Sequence, residues 1–445
     1  MPTQYIADKI THKNVREIFP IDTIPAAVTA TFGPNPCATD FYGIGVAITA
    51  ASCYLLNQMT VEERTAFLQE IYGKNGMNLS VGRLTVGSSD YSAELYSYDD
   101  VPFDTELKHF TIARDEKYVI PMIKEILKIR PDLYLFASPW SPPAWMKTGN
   151  SLCGGYMREE FVECYADYYI KYLQAYAEHG IRIRALTPQN EPETAQKGRM
   201  PACIWHPEIE AEFIKILRKK LDQKGMDVKI WMWDHNFAGI DRVLWALDNT
   251  EGLADSAAGV AFHYYEGNAE ETNRLQDRYP QMEKHFTEGG PRLYDNYDTD
   301  WCKWAITISK ALTCGFKSFT GWNLMLDETG GPNIGPFFCG GLVTRNSLTG
   351  ELSYSGQSKA MRMIAPYITP ESKIYPLHTD EQVYTSMSTY PKMNVMMEGF
   401  LVDNGEQKVC VFINADKEKK QVRFFVKETW WYAELMPDTV STIIL

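Results

Sequence analysis

The residues Ile183-Arg-Ala-Leu-Thr-Pro-Gln-Asn-Glu-Pro-Glu193 decide the fold. A short apolar run, typical of a buried β-strand, ends at Thr187, and Glu191 follows it almost at once. The segment His285-Phe-Thr-Glu-Gly-Gly290 repeats this arrangement, with Glu288 at the end of an apolar run. In a chain that alternates strands with helices, a carboxylate at the C-terminal end of a strand lies where barrel enzymes hold their reactive groups. We therefore predict a β/α barrel with a pair of reactive carboxylates at one rim.

The alternation extends over residues 41–371, the predicted barrel domain. The predicted strands are Tyr42–Thr49, Leu79–Val86, Leu133–Ser138, Ile183–Thr187, Val228–Trp233, Val260–Tyr265, Gln281–Thr287 and Phe316–Gly321. The predicted helices are Val61–Tyr72, Val119–Ile129, Glu159–His179, Glu208–Lys224, Asp241–Asp248, Thr272–Tyr279, Asp300–Thr313 and Gln357–Tyr367. Eight strand–helix units favour a (β/α)8 TIM barrel over a doubly wound sheet, because no complete glycine-rich phosphate-binding motif follows the first strand.

Residues 372–445 have a different pattern, with alternating apolar and polar residues and short turns such as Asp403-Asn-Gly405. This pattern predicts β-strands at Val383–Ser388, Val395–Phe400, Lys408–Asn414, Gln421–Val426 and Ser441–Leu445. We expect an all-β, sandwich-like side domain built mainly from this C-terminal segment. Residues 1–40 are expected to add a strand or two to it, with Ala27–Thr31 as one of them.

Composition and charge narrow the possible partners. The net charge of −13 disfavours nucleic acid and anionic membranes, since both would be repelled. No stretch approaches the roughly 18 apolar residues of a membrane span. The nine cysteines include no Cys-x-x-Cys pair and no zinc-type spacing, which predicts free thiols and no metal site. Residues 1–20 have no apolar leader, so a cytoplasmic location is expected unless a signal peptide has been removed.

Polar and aromatic residues follow most of the predicted barrel strands. Each has a plain structural explanation by itself: Glu191 could begin a helix, Glu288 could be a loop acid, and a histidine on an apolar strand is usually part of the core. Their convergence on one rim favours an active site. In chain order the candidates are Arg83, Asp90, Trp140, Asn190, Glu191, His235, His263, Tyr265, Glu288, Trp322 and Asn323.

The ordered motifs resemble glycoside hydrolase family 30, which includes glucosylceramidases, β-1,6-glucanases and glucuronoxylanases. The resemblance is carried by Ser138-Pro-Trp-Ser-Pro-Pro-Ala-Trp-Met-Lys147, Thr187-Pro-Gln-Asn-Glu-Pro192, Gly259-Val-Ala-Phe-His-Tyr-Tyr265, Phe286-Thr-Glu-Gly-Gly290 and Gly321-Trp-Asn323. It implies that Glu191 is the general acid/base and Glu288 the nucleophile. It further implies that Asp90, Trp140, Asn190 and Trp322 line the sugar subsite, with Arg83, His263 and Tyr265 around the nucleophile. Strand-end position adds His235 and Asn323 to the substrate-binding candidates.

The implied chemistry is retaining hydrolysis of a β-glycosidic bond through a covalent glycosyl-enzyme, with the two carboxyl groups about 5–5.5 Å apart. Their repulsion is expected to keep a proton on Glu191. No metal or organic cofactor is needed, and the expected partner is a carbohydrate or glycoconjugate substrate, while the oligomeric state stays open. The loop Asn323–Gly341 contains no Arg or Lys, which disfavours recognition of a glucuronate branch.

These observations favour a β-glucosidase of the glucosylceramidase or β-1,6-glucan type. A β-xylosidase or another exo-acting β-glycosidase is the alternative within enzymes. A non-catalytic carbohydrate-binding protein is the alternative from a different class, although the presence of both glutamates disfavours it.

Overall fold

The structure is a computed structural model that describes residues 3–7, 14–17, 28–379 and 397–445. Its centre is a closed barrel of eight parallel strands, as the sequence predicts. Three short strands precede the barrel in chain order: β1 (Thr3–Ala7), β2 (Asn14–Glu17) and β3 (Val28–Phe32). The barrel strands are β4 (Gly43–Ala47), β5 (Val81–Thr85), β6 (Tyr134–Ser138), β7 (Ile183–Leu186), β8 (Lys229–Asn236), β9 (Gly259–His263), β10 (Glu283–Glu288) and β11 (Ser318–Gly321).

The helices connect these strands on the outside of the barrel, because successive parallel strands need a crossover. Within the described residues they are α1 (Ala50–Asn57), α2 (Val61–Tyr72), α3 (Ala113–Ile129), α4 (Val162–Glu178), α5 (Pro207–Gln223), α6 (Ile240–Asn249), α7 (Leu253–Ser256), α8 (Asn273–Arg278), α9 (Trp301–Thr313) and α10 (Gly356–Ile364). None of the described helices combines the length and the apolar character needed to cross a lipid bilayer.

The barrel interior is packed with side chains. Val81, Phe136, Ala185, Trp231 and Ala261 form a buried cluster inside the strands, and the ring of Trp231 stacks on His285 at 3.6 Å between centroids. A much larger apolar cluster fills the layer between the strands and the helices. Because the lower part of the barrel is solid, ligand access is confined to its ends.

A second sheet forms the side domain. Its later strands are β15 (Lys373–Thr379), β16 (Met397–Asp403), β17 (Lys408–Asn414), β18 (Lys420–Val426), β19 (Thr429–Leu435) and β20 (Thr439–Ile444), in the order β19-β18-β3-β15-β16-β17-β20-β1-β2 for the described strands. The sheet curls, so that Phe412 of β17 contacts Phe424 of β18 at 5.1 Å although these strands are not neighbours. The all-β side domain is thereby confirmed, with β1, β2 and β3 as the N-terminal contribution.

Two of the predicted side-domain strands fall wholly or partly outside the described residues, and one strand of the side domain is additional to the prediction. The predicted strand Val383–Ser388 lies outside the described residues, as does the beginning of Val395–Phe400. Strand β19 was not predicted, yet it pairs with β18 along its whole length. Trp430 and Trp431 interrupt the alternating pattern of this segment, which concealed the strand.

The side domain packs against the last two helices of the barrel. The indole N–H of Trp301, at the start of α9, donates to the carbonyl of Asp438 at 2.9 Å. The hydroxyl of Thr442 donates to the carbonyl of Met363 in α10 at 2.8 Å. These contacts join the two units through α9 and α10.

The chain between β11 and α10 forms a small sheet that the sequence did not predict. Its strands are β12 (Met325–Asp327), β13 (Val343–Arg345) and β14 (Leu352–Tyr354). The loop between β12 and β13 returns to the barrel mouth, where the N–H of Ile334 donates to the carbonyl of Asp90 at 2.7 Å. This loop therefore forms part of the wall above the barrel.

Candidate active site

A pocket of about 270 Å³ opens at the C-terminal ends of the barrel strands, and both candidate glutamates line it. Most of the sequence candidates are brought together there: Asp90, Trp140, Asn190, Glu191, His235, Tyr265, Glu288 and Trp322. A larger cavity of about 1150 Å³ lies at the opposite end of the barrel and contains neither glutamate. The chemistry of a barrel enzyme belongs to the C-terminal end, so the smaller pocket is the candidate active site.

Glu288 ends β10 and is held by two donors. Arg83 donates from Nη1 to Oε2 at 2.5 Å, and the hydroxyl of Tyr265 donates to Oε1 at 3.0 Å. The register between β9 and β10 shifts between Phe286 and Glu288, a bulge that turns the carboxylate towards the pocket. Both oxygens are thus fixed in orientation, as a nucleophilic carboxylate requires.

Glu191 lies in the turn after β7 with a φ of 53°, a left-handed conformation that is uncommon for a residue with a side chain. Its N–H donates to the carbonyl of Asp234 at 3.0 Å, which stabilises the turn. Gln196 donates to Oε2 at 2.8 Å, and Nδ1 of His263 lies 3.3 Å from Oε1. Strained backbone of this kind is concentrated at functional sites.

His263 connects the two glutamates. Its Nδ1 faces Glu191, while its Nε2 lies 3.1 Å from Oδ1 of Asp234 and 3.9 Å from Oε2 of Glu288. One fully buried imidazole ring therefore stands between both carboxylates. This contact shows that Glu191 and Glu288 face the same small volume.

Asp234 is the centre of a buried hydrogen-bond network that sequence reasoning did not select. The register of β8 against β9 shifts between Trp233 and His235, so Asp234 sits on a bulge that directs it into the barrel. Its oxygens lie within 3.1 Å of five donor groups, on Arg83, Ser138, Thr187, His263 and Thr287. The sequence signal was an acidic residue within the apolar run of β8.

The buried charges set the protonation of this network. Burial would raise the pKa of Asp234, but Arg83, His263 and Thr287 hold it well below its usual range. Burial would lower the pKa of Arg83, but Asp234 and Glu288 raise it instead. Asp234 is thus ionised and Arg83 charged, and each stabilises the other.

We expect Asp234→Asn to lower the free energy of unfolding by about 3 kcal/mol or more, because the amide removes the buried counter-charge and brings an N–H group against existing donors. Urea denaturation measures the change. Asp241→Asn is the matched control, since Asp241 pairs with Arg274 in solvent and its loss should cost under about 1 kcal/mol. A loss below about 1 kcal/mol for Asp234→Asn would show that the network does not depend on this charge.

His263 and Glu191 form a coupled acid pair. Burial would lower the pKa of His263, but Glu288, Asp234 and Glu191 raise it to about 9. Burial would raise the pKa of Glu191, but His235 and His263 lower it to about 2. These directions favour a proton on His263, whereas repulsion between the two glutamates alone predicts it on Glu191.

Aromatic and polar groups form the wall expected for a sugar subsite. Trp140 and Trp322 stack at 5.0 Å between centroids, and the guanidinium of Arg83 lies 4.8 Å from the ring of Trp140. Asn190 accepts from Arg83 at 2.8 Å, which leaves its amide N–H groups for another partner. Burial, with Glu288 and Glu191, raises the pKa of Asp90 well above its usual range. Its Oδ1 is buried and has no hydrogen-bond partner among the described residues.

Asn323 does not reach the pocket. It is fully buried, its Oδ1 accepts from the hydroxyl of Thr49 at 2.9 Å, and it is not one of the lining residues. His235 does line the pocket, with Nδ1 3.8 Å from Glu191 and burial lowering its pKa. Arg83 and His263 lie beneath the lining residues and act on the pocket through Glu288 and Glu191.

Glu191, His235 and His263 each place one ligand atom within 4.8 Å of the others, which is the spacing of a metal site within the described chain. Both nitrogens of His263 already lie within hydrogen-bond distance of protein carboxylates, Nδ1 of Glu191 and Nε2 of Asp234.

Two further residues lining the pocket had little or no sequence signal. Gln196 reaches Glu191 from a loop with left-handed backbone at φ 48°. Arg292 follows Glu288-Gly-Gly-Pro291 and lines the same pocket. The loop Asn323–Gly341 contains no Arg or Lys, but Arg292, in the loop between β10 and α9, supplies a cation to the pocket.

Comparison with known proteins identifies the family of the barrel. Residues 41–344 match the family model described as the glycosyl hydrolase family 30 TIM-barrel domain. Putative glucosylceramidase 3 of Caenorhabditis elegans is 33% identical over 326 residues, which cover 69% of this chain and 62% of that protein. The endo-1,6-β-D-glucanase of Neurospora crassa is 28% identical over 341 residues, covering 73% of this chain and 70% of that protein.

A solved structure is similar over the full length. The crystal structure of SrfJ from Salmonella typhimurium has a TM-score of 0.87 and 25% identity, covering 100% of this chain and 99% of that chain. The similarity includes the side domain, whereas the match to the Caenorhabditis elegans relative spans less than two thirds of that protein. Because the family match covers more than half of the sequence, this chain belongs to glycosyl hydrolase family 30.

Proposed function

We propose that the protein is a retaining glycoside hydrolase that cleaves β-glycosidic bonds, with Glu288 as nucleophile and Glu191 as acid/base. The observation that carries this proposal is the placement of both carboxylates on one pocket, on either side of His263. We further propose a β-glucosidase of the glucosylceramidase or β-1,6-glucan type. The similar proteins include a putative glucosylceramidase and an endo-1,6-β-D-glucanase, which supports this choice.

In the first step, Glu288 attacks the anomeric carbon and the bond to the leaving oxygen breaks. Arg83 and Tyr265 hold the attacking carboxylate in position through their hydrogen bonds. Glu191 passes to the leaving oxygen a proton that it takes from Nδ1 of His263, which holds a proton at neutral pH, so Glu191 ends this step as a carboxylate. The product of this step is a covalent glycosyl-enzyme.

In the second step, Glu191 removes a proton from water, which attacks the anomeric carbon and releases Glu288, and the proton then returns to Nδ1 of His263. Asn190 is placed to donate to the sugar 2-hydroxyl, and Asp90 lines the same pocket. Trp140 and Trp322 provide an apolar wall for the sugar. Two displacements at one carbon give net retention of configuration.

The proposal is tested by an activity screen with 4-nitrophenyl β-D-glucoside, xyloside, galactoside and fucoside. We expect the highest kcat/KM on the glucoside. A preference for the xyloside would favour the β-xylosidase alternative. Binding of these sugars without turnover would favour a carbohydrate-binding protein instead.

The acid pair predicts the pH dependence. His263 has a raised pKa of about 9, so the proton that feeds Glu191 is present below that pH and lost as the pH rises through it. We expect kcat/KM for a substrate with a poor leaving group to fall above about pH 9, as measured by a pH–rate profile. His263→Gln should remove this decrease of kcat/KM above pH 9. A decrease of the wild-type kcat/KM close to pH 6.5, the pKa of free histidine, would show that His263 does not store the proton.

A further inference from the structure

Arg292 is a cation in the candidate pocket with no role in the chemistry described above. It lines the pocket beside Glu191 and Glu288 and is only half buried. Its guanidinium lies 5.6 Å from the ring of Tyr265, the tyrosine that donates to Glu288. A single ring therefore separates this cation from the proposed nucleophile.

The backbone around Arg292 is held in place. Residues 291–293 pair with residues 338–340: the N–H of Leu293 donates to the carbonyl of Phe338 at 3.2 Å, and the N–H of Gly340 donates to that of Pro291 at 2.9 Å. Arg292 and Cys339 face each other across this bridge. Arg292 and Cys339 both line the pocket, whereas Phe338, the next residue along, points away from it.

The guanidinium keeps most of its hydrogen-bonding capacity. Nη1 donates to the hydroxyl of Tyr294 at 2.8 Å, and no carboxylate of the described residues forms an ion pair with Arg292. Aromatic rings surround it, with Tyr294 at 5.9 Å and Phe337 at 5.8 Å. An arginine has five N–H donors, so several remain directed at solvent or at a ligand.

Tyr294 lies next to Arg292, outside the residues that line the pocket, and is 68% exposed. An exposed ring next to a planar donor group suits a sugar. A pyranose has an apolar face that stacks on an aromatic ring and hydroxyls that accept from a guanidinium. A hydrocarbon chain would instead displace water from the free N–H groups without offering acceptors.

We propose that Arg292 and Tyr294 form a leaving-group subsite that binds a second sugar ring, so that the substrate is an oligosaccharide and not a glycolipid. The inference rests on the proposed function, because it assumes that the bond cleaved lies between the two glutamates. It distinguishes an oligosaccharide substrate from a glycolipid substrate, the two types that the names of the similar proteins suggest. Arg292 and Tyr294 are specificity-determining residues and do not touch the anomeric carbon.

The test compares leaving groups at constant glycone. For each variant, kcat/KM is measured on gentiobiose, on n-octyl β-D-glucoside and on 4-nitrophenyl β-D-glucoside; another sugar selected by the aryl screen would replace glucose throughout. The readout is the ratio of the disaccharide value to the aryl value. Arg292→Met keeps the length of the side chain and removes the donors, and Tyr294→Ala removes the ring.

We expect wild-type enzyme to prefer gentiobiose over the octyl glucoside, and Arg292→Met to lower the disaccharide-to-aryl ratio by about tenfold or more. Tyr294→Ala should lower the same ratio, and Arg292→Lys should recover part of the loss. Phe338→Ala is the matched control, because this exposed aromatic residue lies on the same bridge but faces away from the pocket. Its ratio should stay at the wild-type value.

Several results would overturn the inference. An unchanged ratio in Arg292→Met would assign the arginine a structural role, since a structural defect lowers both activities alike. A wild-type preference for the octyl glucoside would point to a lipid aglycone. If no glycoside were hydrolysed, the proposed function would fail separately. In that case, calorimetry would measure the affinity of Glu288→Gln protein for the disaccharide, with and without the additional change Arg292→Met. The inference predicts weaker binding after Arg292→Met. Equal affinity would refute it.

Discussion

Glu288→Gln is expected to lower kcat on 4-nitrophenyl β-D-glucoside on the order of 10⁴-fold, equivalent to about 5 kcal/mol of barrier. The amide keeps the shape of the side chain and its contact volume, but it cannot form the glycosyl ester. Steady-state kinetics measures the loss, and a thermal melt shows that the variant is folded. Glu212→Gln, on the exposed face of α5, is the control and should retain wild-type kinetics. Full activity of Glu288→Gln would refute the assignment of the nucleophile.

The smaller variant Glu288→Gly tests the direction of attack. Added azide can occupy the volume of the missing carboxylate and attack the anomeric carbon of an aryl β-glucoside from the same face as Glu288. The expected product is the α-glycosyl azide, with configuration opposite to the substrate. A β-glycosyl azide from this variant would show that another group forms the covalent bond.

Glu191→Ala should have a loss that depends on the leaving group. With 2,4-dinitrophenyl β-D-glucoside the leaving phenolate needs no proton, so turnover to the glycosyl-enzyme should continue. With a sugar leaving group, kcat/KM should fall roughly 10²–10⁴-fold, the usual contribution of a general acid. Stopped-flow and steady-state rates across a series of aryl glucosides measure this dependence.

The same variant gives the complementary azide result. In Glu191→Ala the covalent intermediate still forms on Glu288, and azide attacks it from the face where water normally enters. The product should be the β-glycosyl azide, in contrast to the α product of Glu288→Gly. Equal losses on all leaving groups would contradict the acid/base role of Glu191.

Much of the fold could be predicted because local signals agree with the tertiary structure. Helix α2 begins and ends where predicted, since Thr60 and Glu63 form a capping box at its start. Helix α1 was missed because Ala50–Asn57 contains few polar residues and lacks a clear polar stripe. Strand β8 extends to Asn236, past its predicted end at Trp233, because the bulge at Asp234 interrupts the periodicity.

A site residue could be predicted from the sequence where it lies at the end of a strand or shortly after it. Glu191 and Glu288 are of this kind. Asp234 was not selected, because its role depends on donors that come from β5, β6, β9, β10 and the residue directly after β7, and these meet only in the folded barrel. Arg292 depends on a bridge between two loops that no local pattern encodes. Asn323 follows a strand end like the others, yet its left-handed φ of 61° turns the side chain towards Thr49.

Covalent trapping tests the central claim most directly. The protein is incubated with 2,4-dinitrophenyl 2-deoxy-2-fluoro-β-D-glucoside, whose fluorine slows both displacements while the good leaving group allows the first to proceed. Intact-mass and peptide mass spectrometry then locate the bound sugar. We predict one fluoroglucosyl ester, on the peptide that carries Glu288. An ester on Glu191 or on any other residue would contradict the proposed mechanism.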